Sequence, residues 1–183
     1  LWELDPVEIR SRKVPARTHF ALDPIEQGVF SSAGVDLAQF QAWLAARDLA
    51  VIVTRNVTTR DAFDLQQPFN LRVNTGSAIG ATTVRPGSAG PTYDVRDLQI
   101  VQADQIRGMG GTADPLPGRR PIARFLHDPS VVNPPNAGHP AGSVPVALDG
   151  SIAAFVPAHR AVSWQLVDTT GKPVVHERYW LTM

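Results

Sequence analysis

The chain contains no cysteine. That absence excludes disulfides, thiolate metal sites, a cysteine nucleophile and covalent haem attachment to this chain. It leaves the compartment open, because a protein without thiols is redox-silent anywhere. Charge of one sign is lacking too: 17 Lys and Arg balance 17 Asp and Glu, for a formal net charge of zero. A neutral chain offers no electrostatic reason to expect nucleic acid or an anionic membrane surface as partner. No apolar run approaches the ~20 residues of a transmembrane helix. No H-E-x-x-H, His-x-His or G-x-S-x-G occurs, so the common zinc and serine-hydrolase signatures are missing. No internal repeat appears at a period of about 20–50 residues.

What is present is a β-type composition. Of 183 residues, 43% are hydrophobic, enough for a sizeable core, and 16 Pro with 14 Gly favour short strands joined by structured loops. The densest signals lie between Ser143 and Met183. Val144–Leu148 alternates, Asp149-Gly150 is a hairpin-type pair, and Ser151–Val156 is a short apolar run. Ala161–Val167 alternates again, with Val162, Trp164 and Leu166 on one face and Ser163, Gln165 and Val167 on the other. A turn around Gly171 leads into a return strand over Val174–Leu181. This pattern predicts a small antiparallel sheet.

Upstream, residues 1–30 read as an extended arm interrupted by Pro15 and Pro24, with basic residues over Arg10–Arg17 that fit a solvated stretch or an anionic contact. Residues 34–47 predict a helix, with Asp36 as N-cap and Leu37, Phe40 and Leu44 on one stripe that Trp43 and Ala46 widen. Leu49–Thr54 reads as a buried strand. Phe69–Val73, Tyr93–Ala103 and Ile122–His127 predict further strands, and 74–91, 104–121 and 128–142 read as loops. The expected fold is therefore mainly β, an antiparallel sandwich-like domain over 31–183 with long loops and one packed helix.

Candidate chemistry is sparse. Arg107–Gly111 (RGMGG) lacks the G-x-G-x-x-G spacing, and Pro115 and Pro117 fall where a phosphate-binding helix would start. His19, His127, His139, His159 and His176 lie at least twelve residues apart, so no helix or tight turn presents a ready pair. Arg55, Arg60, Asp61, Asp64, Gln66, Gln67 and Asn70 form a polar stretch over 55–70, either a ligand loop or one satisfying its own backbone. Asn56-Val57-Thr58 matches a glycosylation sequon. Arg178 and Trp180 share one face of the last predicted strand and are the candidate contact residues for a cofactor or partner edge. No catalytic and no metal-ligating residue is assigned.

Several segments together carry a resemblance. DGSIAAFVPAHRAVSWQLVDTTGKPVVHERYWLTM resembles the end of the middle domain of the hydrazine synthase alpha subunit family, where such a run leads into a C-x-x-C-H haem segment. LWELDPVEIRSRKVPAR, LAVIVTRNVTTRD, QQPFNLRV, LQIVQADQIRG and PLPGRRPIARFLHD are similar to further segments of bacterial homologues of that domain. The resemblance implies a periplasmic or extracellular multidomain protein, with a propeller-like region before this domain and c-type haem after it. The absence of cysteine means that no haem ligand carries over to any residue here. Both ends, at Leu1 and Met183, read as cut from something longer. The expectation is a non-catalytic structural module that positions or shields a c-type haem or other redox site supplied by flanking sequence, with those flanking domains as its partners. The alternatives are a β-sandwich binding module for polysaccharide or a partner protein, which calls for exposed tryptophans among Trp2, Trp43 and Trp164, and an independent hydrolase.

Overall fold

The computed structural model describes residues 21–60, 70–84, 87, 90–107, 119–126, 133–177 and 179–182. The chain divides into two compact units, Leu1–Phe40 and Gln41–Met183.

In the first unit, α1 spans Pro24–Ser32. The reading of residues 1–30 as an extended arm overlooked this helix; residues 1–20 of that arm lie outside the described residues. The local cause is Asp23-Pro24. Asp23 Oδ1 accepts the Ile25 amide at 3.0 Å, and Pro24 opens the helix where its missing N–H costs nothing. The helix α2, Leu37–Ala45, starts as the sequence indicates, with the Gln39 amide donating to Asp36 Oδ1 at 2.8 Å. The Phe30 and Phe40 rings pack at a tilt of 50°, 5.3 Å between centroids. Leu37, Phe40, Trp43 and Leu44 form the less exposed stripe of α2, but none is fully buried and Ala46 is exposed.

The second unit is mainly β and sandwich-like. Its strands are β1 (Leu49–Thr54), β2 (Asn70–Asn74), β3 (Ile79–Thr83), β4 (Thr92–Val95), β5 (Asp97–Arg107), β6 (Arg119–Phe125), β7 (Ser143–Pro145), β8 (Ile152–Pro157), β9 (Ala161–Val167), β10 (Pro173–His176) and β11 (Leu181–Thr182). They form three sheets. The largest runs β10-β9-β5-β6, with β11 also on β9 and β7 also on β5; β1 pairs β8; and β3-β2-β4 make the third.

Two expectations change here. The run Val144–Leu148, Asp149-Gly150, Ser151–Val156 is not a hairpin: β7 pairs β5 and β8 pairs β1. Gly150 at φ +86 still turns the chain, and Ser151 bonds back to Asp149 Oδ1 through its amide at 2.9 Å and its hydroxyl at 2.7 Å, but the strands on either side pair elsewhere. The return strand Val174–Leu181 is broken into β10 and β11. In addition, β3 and the paired ends of β5 and β6 lie inside stretches read as loops, because Gly and Pro masked short strands there.

The core explains the pattern of β9. Val162, Trp164 and Leu166 lie across from Gln102, Ile100 and Leu98 of β5, and this face meets Leu71, Val73, Val95, Ile152, Ala154 and Val156. Trp43 packs on Phe155 at a tilt of 53°, 5.5 Å between centroids, with the Arg47 guanidinium 4.4 Å from the indole centroid.

Acidic side chains stitch the loops. Arg72 Nε donates to Asp94 Oδ1 at 2.7 Å across β2 and β4, and Asn74 Nδ2 donates to Oδ2 at 2.9 Å. The Arg72 hydrogen bond holds the Asp94 carboxyl below its ordinary value of 3.8, against opposing burial. The Thr170 hydroxyl does the same for Asp168, and the Ser151 hydroxyl for Asp149. A depressed folded pKa contributes stability that is present above the unfolded value and lost as pH falls through the folded one. The melting temperature should therefore fall as pH is lowered from about 4, and the fall should be shallower in an Asp94→Asn, Asp168→Asn variant. Equal acid slopes in both proteins, read by thermal denaturation across a pH series, would contradict these assignments.

Candidate functional site

The face of the large sheet turned away from the core is polar yet buried. Asp97 and Gln99 of β5, Ser143 of β7 and Ser163 of β9 all lie on it, and Asp97 is 0% exposed. The loop leading into β7 covers this face. Asp97 accepts from Arg96 Nε at 2.8 Å, from His139 Nδ1 at 2.9 Å and from Asn136 Nδ2 at 3.3 Å. Asn136 Nδ2 also reaches Ser143 Oγ at 3.0 Å. Gln99 Nε2 donates to the Ala141 carbonyl at 2.9 Å and Gln165 Nε2 donates to Gln99 Oε1 at 2.6 Å. A buried carboxylate is tolerated only with such donors. The Asp97–His139 pair has the shape of an acid that orients an imidazole. Ser143, the hydroxyl in this network, donates to the Pro140 carbonyl at 2.6 Å, a loop-fixing bond rather than a primed nucleophile.

The opposite side of the sheet borders a cleft of about 460 Å³. Its floor is apolar, built from Leu71, Leu98, Trp164, Leu166 and Val175. Ile52, Val53 and Thr54 of β1 and His176 and Glu177 at the end of β10 line it as well. Asn56, Val57 and Thr59 of the turn after β1 complete the lining. There Asn56 Oδ1 accepts the Thr58 amide and hydroxyl, both at 2.8 Å, and the Val57 amide donates to the Gly150 carbonyl at 2.9 Å. Thr58 is fully buried and bonded to Thr83 Oγ1 at 3.0 Å, so the Asn56-Val57-Thr58 sequon is folded into a structural turn.

The residues singled out from sequence fare unequally. Trp180 is 39% exposed beside β11, between Tyr179 at 67% and Leu181 at 40%. Arg178 lies outside the described residues, as do residues 61–69 of the 55–70 stretch. Its ends are structural: Asn70 is buried, with its amide on the Pro91 carbonyl and Nδ2 on the Gly90 carbonyl, both at 3.1 Å. Trp43 and Trp164 are half-buried, packed on Phe155 and in the cleft floor, so neither forms an open aromatic platform; Trp2 lies outside the described residues. His139, His159 and His176 are spread over different loops and strands, and no group of three or more His, Asp or Glu side chains suited to a metal occurs among the described residues.

Sequence reasoning missed Asp97 and Asn136 and left His139 without a partner. The available signal was Asp97 itself, a carboxylate flanked by Arg96 and Leu98 inside an otherwise strand-like run. No family model matches the chain, and no curated protein or solved structure matches it.

Proposed function

We propose that this chain is a non-catalytic structural module of an extracytoplasmic multidomain protein, resembling the middle domain of the hydrazine synthase alpha subunit. It positions and shields a c-type haem or comparable redox site that flanking sequence supplies. The observation that favours this reading is the exposed run Tyr179, Trp180 and Leu181 at the sheet edge. Two exposed aromatic rings and an exposed aliphatic side chain on consecutive residues are costly to leave in water and suited to covering an apolar group. The same run continues the segment that carries most of the family resemblance. The module's contribution is packing and water exclusion; the redox chemistry belongs to the cofactor.

The test is potentiometric. In the protein with its natural flanking sequence, Trp180→Ala should admit water to the haem edge and lower the midpoint potential, because water stabilises the more highly charged ferric form. Trp43→Ala, remote from that edge in sequence, serves as the comparison. Identical potentials in wild type and Trp180→Ala would contradict the shielding role.

A further inference from the structure

We propose that the cleft is a binding site for an uncharged, flat aromatic molecule of two fused rings that carries a carbonyl oxygen. Its depth, its lining and one oriented donor argue for this class. The floor lies below the surface: Leu71, Leu98 and Leu166 are 3%, 4% and 7% exposed, yet they line a volume of about 460 Å³. That volume falls within the usual range of small-molecule sites and is about three times that of a cavity that holds benzene. The Trp164 indole belongs to the same floor, among aliphatic side chains, so a flat ring system finds both aromatic and methyl contacts there.

Asn56 supplies the polar selectivity. Its Oδ1 accepts both the Thr58 amide and the Thr58 hydroxyl at 2.8 Å. Those two bonds fill the oxygen's two lone pairs and fix which end of the side-chain amide faces Thr58. The Nδ2 end has no hydrogen-bond partner among the described residues, and Asn56 is half-buried in the cleft lining. It is therefore a donor held in place before any ligand arrives, and a carbonyl oxygen is its complement. Charge follows from the rest of the lining. It contains no Lys or Arg, and its carboxylate, Glu177, accepts the Tyr179 amide through Oε1 at 3.1 Å. An anionic ligand would find no permanent cation there. A sugar would set most of its hydroxyls against leucine, with no partners to replace water.

The experiment is isothermal titration calorimetry on the full chain with three probes: coumarin, 2H-chromene, which keeps the fused rings without the carbonyl, and coumarin-3-carboxylate. Coumarin should bind saturably at concentrations up to about 1 mM. It should bind about fivefold more tightly than 2H-chromene, the scale of one neutral hydrogen bond, and more tightly than the carboxylate. Asn56→Asp keeps an oxygen for Thr58 and replaces the donor by an acceptor, so it should abolish the preference for coumarin over 2H-chromene. Thr54→Trp places the contact. Thr54 shares a face of β1 with Ile52, which packs against the core, so a large side chain there should fill the cleft and weaken coumarin at least about tenfold. Circular dichroism and thermal denaturation confirm that each variant folds; if Thr54→Trp does not, Trp164→Phe, with a smaller ring in the floor, should weaken coumarin severalfold. Absence of saturable coumarin binding would overturn the proposal, as would a preference for coumarin that survives Asn56→Asp or tighter binding of the carboxylate. Binding of 1-octanol but not of coumarin would overturn it too, assigning the cleft to an aliphatic chain.

Discussion

Asp97→Ala is expected to lower the unfolding free energy by about 3–5 kcal/mol, the range for removing one partner from a buried ion pair. The carboxylate is 0% exposed and is the common acceptor for Arg96, Asn136 and His139. Removing it strands the Arg96 guanidinium and the His139 donor of the covering loop and opens a void. The ion pair is not itself a large source of net stability, since desolvation offsets much of its Coulomb energy. The cost lies in leaving the other members unpaired. Asp97→Asn keeps the shape and one acceptor oxygen, so it should cost less, about 1.5–3 kcal/mol, the scale of a hydrogen bond to a charged group. His139→Ala, which removes one donor that is partly exposed, should cost less again. Urea denaturation of the three variants gives the ranking. A value for Asp97→Ala within about 1 kcal/mol of wild type, the ordinary range of a surface change, would mean the buried polar layer does not hold the loop.

Gly142→Ala should also be damaging, at about 2–4 kcal/mol from two additive causes. Gly142 sits at φ +66, a left-handed conformation that costs a residue with a Cβ roughly 1–2 kcal/mol. A Cβ there would also lie 2.9 Å from the Leu126 amide nitrogen and carbonyl oxygen and 3.1 Å from the Ile100 carbonyl oxygen. These are backbone atoms engaged with each other: the Ile100 amide donates to Gly142 and the Leu126 amide donates to Ile100, both at 2.9 Å. They cannot yield without opening β5. Gly138, in the same loop at φ +80, has no atom within 4 Å of a Cβ. Gly138→Ala should therefore show the conformational cost alone, about 1–2 kcal/mol. Thermal denaturation of the pair separates the two causes, and equal losses would remove the close-packing argument.

How much of this was legible beforehand depended on whether a signal was local. The period-2 pattern of Ala161–Val167 is a local property, and the register of β9 against β5 places Trp164 and Leu166 on the core face as that pattern requires. Asp36 and the Leu37–Leu44 stripe marked α2 for the same reason. Pairing partners are not local. Asp149-Gly150 forms a tight turn, yet β7 and β8 part to different sheets because β5 and β1 compete for them across tens of residues. The break between β10 and β11 was hidden in a run of strand-forming residues; there the Glu177 amide turns to the Trp164 carbonyl at 2.8 Å, and Glu177 Oε1 accepts the Tyr179 amide at 3.1 Å. The Asp97 network draws on residues about forty positions apart, so no spacing rule could assemble it. Trp180 is 39% exposed, while Arg178 and most of the 55–70 stretch lie outside the described residues.

The central claim is that this β-rich module serves a haem it does not itself bind covalently, and an absorption spectrum tests it most directly. The protein should be purified with its natural flanking sequence and measured as isolated and after reduction with dithionite. The expected spectrum shows a Soret band, with the sharpened visible bands of a c-type haem on reduction. A spectrum with only the ultraviolet absorption of tryptophan and tyrosine, in protein matured in a haem-competent host, would contradict it.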